Sequence, residues 1–93
     1  MIPERTLDSL KRYSMAGVPT GGFLRSILED RGVFIVVGRA DEENYAALKE
    51  ILKYIYNEIP AACWGSPEEV DAWIETHRKA REMNERKGHV ETI

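Results

Sequence analysis

The sequence predicts an all-α fold, a small compact domain of about four helical segments. Residues 48–59 carry apolar side chains at helical spacing, and Pro60 follows the last of them. Ser66-Pro67-Glu68-Glu69 has the pattern of a capping box, which marks the start of a helix. A further apolar stripe comprises Phe23, Leu24, Ile27 and Leu28. A chain of 93 residues builds only a modest core, so we expect a homo-oligomer.

The first helix is expected over about residues 3–15. Pro3 suits the first position of a helix, and Leu7 and Leu10 lie three residues apart. Gly17 is a typical stop signal. The second helix carries the apolar stripe of residues 23–28, and the hydroxyl of Thr20 can cap its start.

Residues 31–38 are locally ambiguous. Their β-branched side chains between two glycines match a buried strand. No other segment offers a partner strand, and an unpaired apolar edge promotes aggregation. The segment is therefore predicted to be an irregular or helical connection that is buried in the core or in an interface.

Two longer helices complete the domain. One of about 18 residues begins near Asp41, and the last begins at Ser66 with an apolar stripe that ends at His77. Residues 78–93 are charged and polar nearly all round, so they are expected to form a frayed C-terminal helix or tail. Residues 1–93 are predicted to form a single helical domain.

Composition excludes several classes of function. The net charge of −3 disfavours duplex nucleic acid as a partner, and the longest apolar run has five residues, too few to cross a membrane. The N-terminus lacks the pattern of a secretory signal, which predicts a cytoplasmic protein. One cysteine and two histidines make a zinc site improbable, and no catalytic motif is present. The chain is predicted to be no enzyme and to use neither a cofactor nor a metal.

Thr20, Gly21 and Gly22 form the segment most typical of an anion site. A helix start leaves backbone N–H groups unpaired, and glycines let a phosphate approach the main chain. The segment lacks the Lys-Ser/Thr pair of a nucleotide-triphosphate loop. A turn that needs glycines and precedes a capped helix is the competing interpretation.

Aromatic and cationic residues could add to such a site. Tyr13 can pack in the core or stack on a base, and Arg12 and Lys11 lie beside it in sequence. Arg39 can pair with the acidic helix start after it or reach a bound phosphate with its guanidinium group. The sequence leaves both choices open.

Five short motifs occur in the order and approximate spacing of a known family: Leu7-x-x-Leu10, Val18-Pro19-Thr20-Gly21-Gly22-Phe23-Leu24, Arg39-Ala40-Asp41-x-x-Asn44, Ile55-Tyr56-Asn57-Glu58-Ile59-Pro60 and Cys63-Trp64-Gly65-Ser66. Over about residues 7–74 the chain thus resembles the small phage anti-CBASS proteins, which sequester cyclic oligonucleotides. Residues 32–37 depart from that family's pattern, because they are more β-branched than the helix expected there.

The resemblance implies a hexameric sponge in the cytoplasm of an infected bacterial host. Such proteins hold cyclic dinucleotides such as 3′,3′-cGAMP between protomers, some also hold cyclic trinucleotides, and neither ligand is hydrolysed. By the family's pattern Tyr13 matches the stacking tyrosine, and residues 20–22 match the dinucleotide pocket. Arg25 and Arg31 are the candidates for the accompanying cationic contact.

A small helical interaction protein is the alternative function. It would block or adapt a host protein through exposed apolar surface and its charged C-terminal helix, and it needs no nucleotide pocket. A phosphodiesterase is disfavoured, because the chain offers no evident metal site or general-base pair.

Overall fold

The computed structural model describes the backbone of residues 1–91 and the side chains of residues 1–84. Regular structure in this part of the chain is entirely helical, which confirms the all-α prediction. The number of segments was wrong, since the described residues contain six α-helices instead of about four. The elements are α1 (Glu4–Ala16), α2 (Gly22–Leu28), α3 (Val33–Arg39), α4 (Glu42–Ala46), α5 (Leu48–Glu58), a 3₁₀-helix (Ala61–Cys63) and α6 (Pro67–Glu91).

Two features explain why the structure has more helices than the sequence predicted. Residues 33–38 of the ambiguous segment 31–38 lie in helix α3, in agreement with the helical half of the prediction. The long helix expected from Asp41 is divided at Ala47, which has φ −101° and ψ 11°. The N–H group of Ala47 is shared between the carbonyl oxygens of Glu43 and Asn44, each at 3.2 Å. Ala47 itself is buried, and it belongs to the same core cluster as Ile51 and Ile55 of α5.

The predicted caps of α2 and α6 have different outcomes. Ser66 caps α6 as expected, because its Oγ accepts a hydrogen bond from the N–H of Glu69 at 3.1 Å. Thr20 does not cap α2. Gly21 occupies the N-cap position, and the Thr20 hydroxyl instead donates to the Gly21 carbonyl oxygen at 3.2 Å. The second helix therefore starts without a side-chain cap.

The core lies where α1, α2, α5, the 3₁₀-helix and α6 meet. Each of these elements contributes side chains that are almost completely buried. The most deeply buried apolar side chains are Leu10, Tyr13, Leu28, Ile51, Cys63 and Val70. Helix α3 contributes much less, because Val36 is its only buried side chain.

Helix α6 closes the fold by contacting the C-terminal end of α1. Trp73 Nε1 donates to the Tyr13 carbonyl oxygen at 2.8 Å, and Arg81 donates to that of Ala16 at 2.7 Å. Both acceptors are carbonyl groups of the last turn of α1, and that of Tyr13 also accepts the N–H of Gly17 at 2.9 Å. Gly17 ends α1 at φ 65°, and a Cβ there would lie 2.5 Å from the Cβ of His77. Only glycine therefore allows the two helices to approach this closely.

The C-terminal half of α6 bears on two predictions. Helix α6 continues through Glu91, and its residues 79–84 are exposed, whereas residues 92–93 lie outside the described part of the chain. The expected fraying of residues 78–93 stays a prediction. None of the described helices is both long enough and apolar enough to cross a lipid bilayer.

Candidate functional site

An apolar groove of about 390 Å³ lies between α3 and α5. Val36 and Ile55 line it as buried side chains. Leu52 and Tyr56 also line it, yet 45% of Leu52 and 75% of Tyr56 remain exposed. Trp64 lies at the groove where the chain leaves the 3₁₀-helix. The groove is thus an open, largely apolar concavity rather than an enclosed cavity.

The turn between α2 and α3 positions α3, which forms one side of the groove. The Asp30 N–H donates to the Ile27 carbonyl oxygen, and the Arg31 N–H donates to that of Ser26, both at 3.0 Å. These two bonds end α2 in the manner of a Schellman motif, with Asp30 in the left-handed region at φ 55°. Gly32, at φ 107°, then redirects the chain into α3. The turn therefore brings α3 back against α2.

The opposite side of the groove is held by hydrogen bonds around Trp64. Trp64 Nε1 donates to the Ile59 carbonyl oxygen at 3.0 Å, and the Gly65 N–H donates to that of Leu28 at 2.7 Å. The rings of Tyr56 and Trp64 lie 6.2 Å apart at a tilt of 46°. These contacts connect α5 and the 3₁₀ segment to the end of α2, so the groove is preformed.

A cluster of ion pairs lies beside the same turn. Glu29 is only 6% exposed, and it accepts hydrogen bonds from Arg25 at 2.8 Å and from Arg31 at 2.9 Å. Arg25 also contacts Asp71 of α6 at 2.7 Å. The hydrogen bond from Arg25, supported by that from Arg31, lowers the pKa of Glu29 below its ordinary value. Both arginines proposed as ligand contacts are thus engaged with a buried carboxylate.

The structure corrects the proposed stacking role of Tyr13. Its side chain is completely buried, and its hydroxyl donates a hydrogen bond to the Cys63 carbonyl oxygen. Burial raises the pKa of this hydroxyl. The ring belongs to the same buried cluster as Leu10 and Leu28 and has no free face on which a base could stack. Tyr13 is therefore a core residue, which is the packing interpretation of the sequence.

The remaining candidate residues come together only in part. Gly21 and Gly22 are exposed, and Arg39 donates from Nη1 to the Gly22 carbonyl oxygen at 3.3 Å. Arg39 does not pair with the acidic start of α4, because Asp41 is bound by Arg5 at 2.5 Å. Arg12 is exposed on α1. The structure thus places Arg39 beside Gly22, whereas Tyr13 is buried in the core.

The groove was missed by reasoning from the sequence. Leu52 and Tyr56 share the apolar stripe of α5 with true core residues, so their pattern alone predicts burial. The available signal was the run of five apolar residues at 33–37 in so short a segment. A helix that is apolar all round and only seven residues long cannot bury every side against one small domain.

Comparisons with known proteins give no match to a family model, a curated protein or a solved structure. The resemblance to anti-CBASS proteins therefore stays a prediction. Among the described residues, no three His, Cys, Asp or Glu side chains are grouped so that they could hold a metal ion. The groove is the feature from which function can be inferred.

Proposed function

We propose that this protein is a non-catalytic interaction module whose groove between α3 and α5 binds apolar side chains of a protein partner. The observation that carries the proposal is the exposure of Leu52 and Tyr56 beside a preformed concavity. Leaving such side chains in water forgoes roughly 25 cal/mol per Å² of apolar surface. A contiguous exposed apolar patch is characteristic of a surface that is covered by a partner.

The residue types of the groove favour a protein partner. Tyrosine and tryptophan are enriched among the residues that dominate binding energy in protein interfaces, and Tyr56 and Trp64 lie side by side here. The ring N–H of Trp64 already donates to the Ile59 carbonyl oxygen, so the side chain presents mainly apolar surface. Such a wall suits aliphatic or aromatic side chains that enter from a neighbouring chain.

Site-specific photo-crosslinking tests this function. The photoreactive residue p-benzoylphenylalanine replaces Tyr56 in one variant and Tyr45 in another, since Tyr45 is also exposed, at 58%, but lies on α4 outside the groove. Both variants are irradiated in the cells that express the protein. We expect a discrete protein adduct from position 56 that position 45 does not give.

The purified partner then provides a quantitative test. Leu52→Asp places a charge at the groove and is expected to weaken binding at least about tenfold, or ~1.4 kcal/mol. Tyr45→Ala is the control and should bind as the parent does. Equal adducts at both positions, or unchanged binding by a folded Leu52→Asp variant, would contradict the proposed function.

Sequestration of cyclic oligonucleotides is the second candidate function. One observation favours it: the Arg39 guanidinium lies beside the exposed Gly22 backbone, and within residues 1–84 it forms no salt bridge. A guanidinium group next to accessible backbone groups can contact a phosphate. The burial of Tyr13 removes the expected stacking ring, which places this candidate second.

Isothermal titration with 3′,3′-cGAMP and with cyclic triadenylate tests the second candidate. A sponge gives saturable heat, and chromatography after heat denaturation recovers the ligand intact. Arg39→Ala should then weaken binding, whereas Arg12→Ala, which removes a similar exposed charge from α1, serves as the control. Absence of heat with both ligands would exclude them as the bound molecules.

A further inference from the structure

We propose that the groove is filled by Phe34 from a second copy of this chain, and that two copies exchange these side chains across a twofold axis. The inference rests on the proposed function, because it names the partner of the same groove. Phe34 is 92% exposed on α3, and the preceding residue, Val33, lines the groove. Each copy thus carries a projecting phenyl ring directly beside an apolar concavity.

This arrangement is self-complementary. A twofold interface uses the same surface on both copies, so each protomer must offer both a projecting group and its receptor. Phe34 supplies the projecting group, and Leu52, Tyr56 and Trp64 supply the receptor. Aromatic rings pack favourably edge to face, and phenylalanine has no polar atom that burial would leave unpaired.

Charge complementarity also favours a second copy. Asp30 is exposed at the turn that leads into α3 and itself lines the groove, so it would lie in the interface with Phe34. Lys49 and Lys53 are exposed on α5, close in sequence to Leu52 and Tyr56. Among the salt bridges of residues 1–84, none involves Asp30 or either lysine. In the proposed dimer, the Asp30 carboxylate of one copy meets the Lys53 ammonium group of the other.

The exposed apolar area is on the scale that a dimer requires. An aromatic side chain carries about 150–250 Å², so Phe34 and Tyr56 together expose roughly 250–400 Å². A standard interface buries about 800 Å² on each partner. The two rings thus account for about a third to a half of that area. Val33 and Leu52, which line the groove and are 65% and 45% exposed, add further apolar area.

Sedimentation equilibrium of the purified full chain is the first test. We expect the parent to show a concentration-dependent dimer, and Phe34→Ala to raise its dissociation constant at least tenfold. Tyr45→Ala is the matched control, because it removes an exposed ring outside the groove and should dimerise as the parent does. A monomeric parent, or any assembly that persists unchanged in Phe34→Ala, overturns the proposal.

A charge exchange tests the geometry directly. Asp30→Lys and Lys53→Glu should each weaken the homodimer, since each variant places like charges together twice. Mixing the two variants should restore a heterodimer with both opposite-charge contacts, whereas failure of the mixture to associate overturns the proposed arrangement. Circular dichroism must first show that both variants are folded. A monomeric parent whose position 56 crosslinks to another protein would refute the second-copy inference and leave the proposed function standing.

Discussion

Tyr13 connects three elements through one residue. Its ring fills the core, its hydroxyl donates to the Cys63 carbonyl oxygen, and its own carbonyl oxygen accepts from Trp73. Burial makes the hydrogen bond of the hydroxyl necessary, because a polar group that loses its partner in the core retains its full desolvation cost. The residue is thus central to stability rather than to ligand recognition.

Tyr13→Phe isolates the hydroxyl. We expect the free energy of unfolding to fall by about 1–2 kcal/mol, since the Cys63 carbonyl oxygen loses its buried donor while the ring is kept. Urea unfolding followed by circular dichroism measures the change. Tyr56→Phe alters an exposed hydroxyl and should stay within about 0.5 kcal/mol of the parent. Similar small effects from both variants would contradict the role assigned to Tyr13.

Gly17 is the second residue at which one atom decides the packing. Gly17→Ala should destabilise the protein by at least about 2 kcal/mol, because the added Cβ meets His77 at 2.5 Å and the backbone is left-handed. Gly21→Ala is the matched control, since nothing lies within 4 Å of a Cβ there and its φ is −68°. Thermal unfolding compares the two. An undisturbed Gly17→Ala variant would show that α1 and α6 do not require this close contact.

At the scale of elements, Glu29 connects α2, the following turn and, through Arg25, helix α6. The hydrogen bond from Arg25 holds the pKa of Glu29 below its ordinary value near 4.5. A carboxylate whose pKa is lower in the folded state stabilises the protein above its unfolded pKa. That stabilisation is lost as the pH falls from about 4.5 through the lower folded pKa.

Acid titration of stability tests this connection. The free energy of unfolding from urea curves should decrease as the pH falls below about 4.5, and Glu29→Gln should show a shallower decrease. Glu50→Gln, at an exposed position of α5, provides a matched change of charge. If the two variants have the same acid dependence, the Glu29 cluster does not account for the acid sensitivity.

Helix α3 makes its own backbone hydrogen bonds, but most of its apolar side chains are not buried by the rest of the chain. Its β-branched residues favour a strand, but a strand without a partner would leave its backbone hydrogen bonds unmade. A helix makes those bonds within the segment. The cost is that only Val36 is buried, and this unburied apolar surface is the basis of both proposals.

At the scale of the whole molecule, residues from both ends of the chain share one core. Leu10 and Tyr13 of α1 belong to the same buried cluster as Val70 of α6. A core of this kind is expected to unfold in one cooperative step, as small single domains usually do. The prediction that the chain is a single domain can be tested in this way.

Two probes of the same urea transition provide the measurement. Far-ultraviolet circular dichroism reports the helices, and fluorescence reports Trp64 and Trp73, the two tryptophans of the chain. We expect coincident curves when both are measured at one protein concentration, so that self-association affects them equally. Separate midpoints would show that the region around the tryptophans unfolds independently of the helices.

The sequence determined the helical class of this protein and several local features. Apolar spacing and the Ser66 capping box act over a few residues, so their meaning hardly depends on distant contacts. The break at Ala47 was not evident, because alanine is an excellent helix former and nothing in the surrounding sequence marks a break.

Only the tertiary structure decided which apolar and charged residues are exposed and free to bind a partner. Tyr13 is buried while Tyr56 is exposed, although both occupy apolar positions of amphipathic helices. Arg25 and Arg31 are bound to Glu29, whereas Arg39 lies beside Gly22. Glu29 lies four residues after Arg25, so the sequence offers that pair, but it does not show that Glu29 is buried or that Arg25 also binds Asp71 of α6. The burial of a side chain and the partner of a charge depend on which elements pack together. The apolar spacing within one helix does not show which other elements that helix contacts.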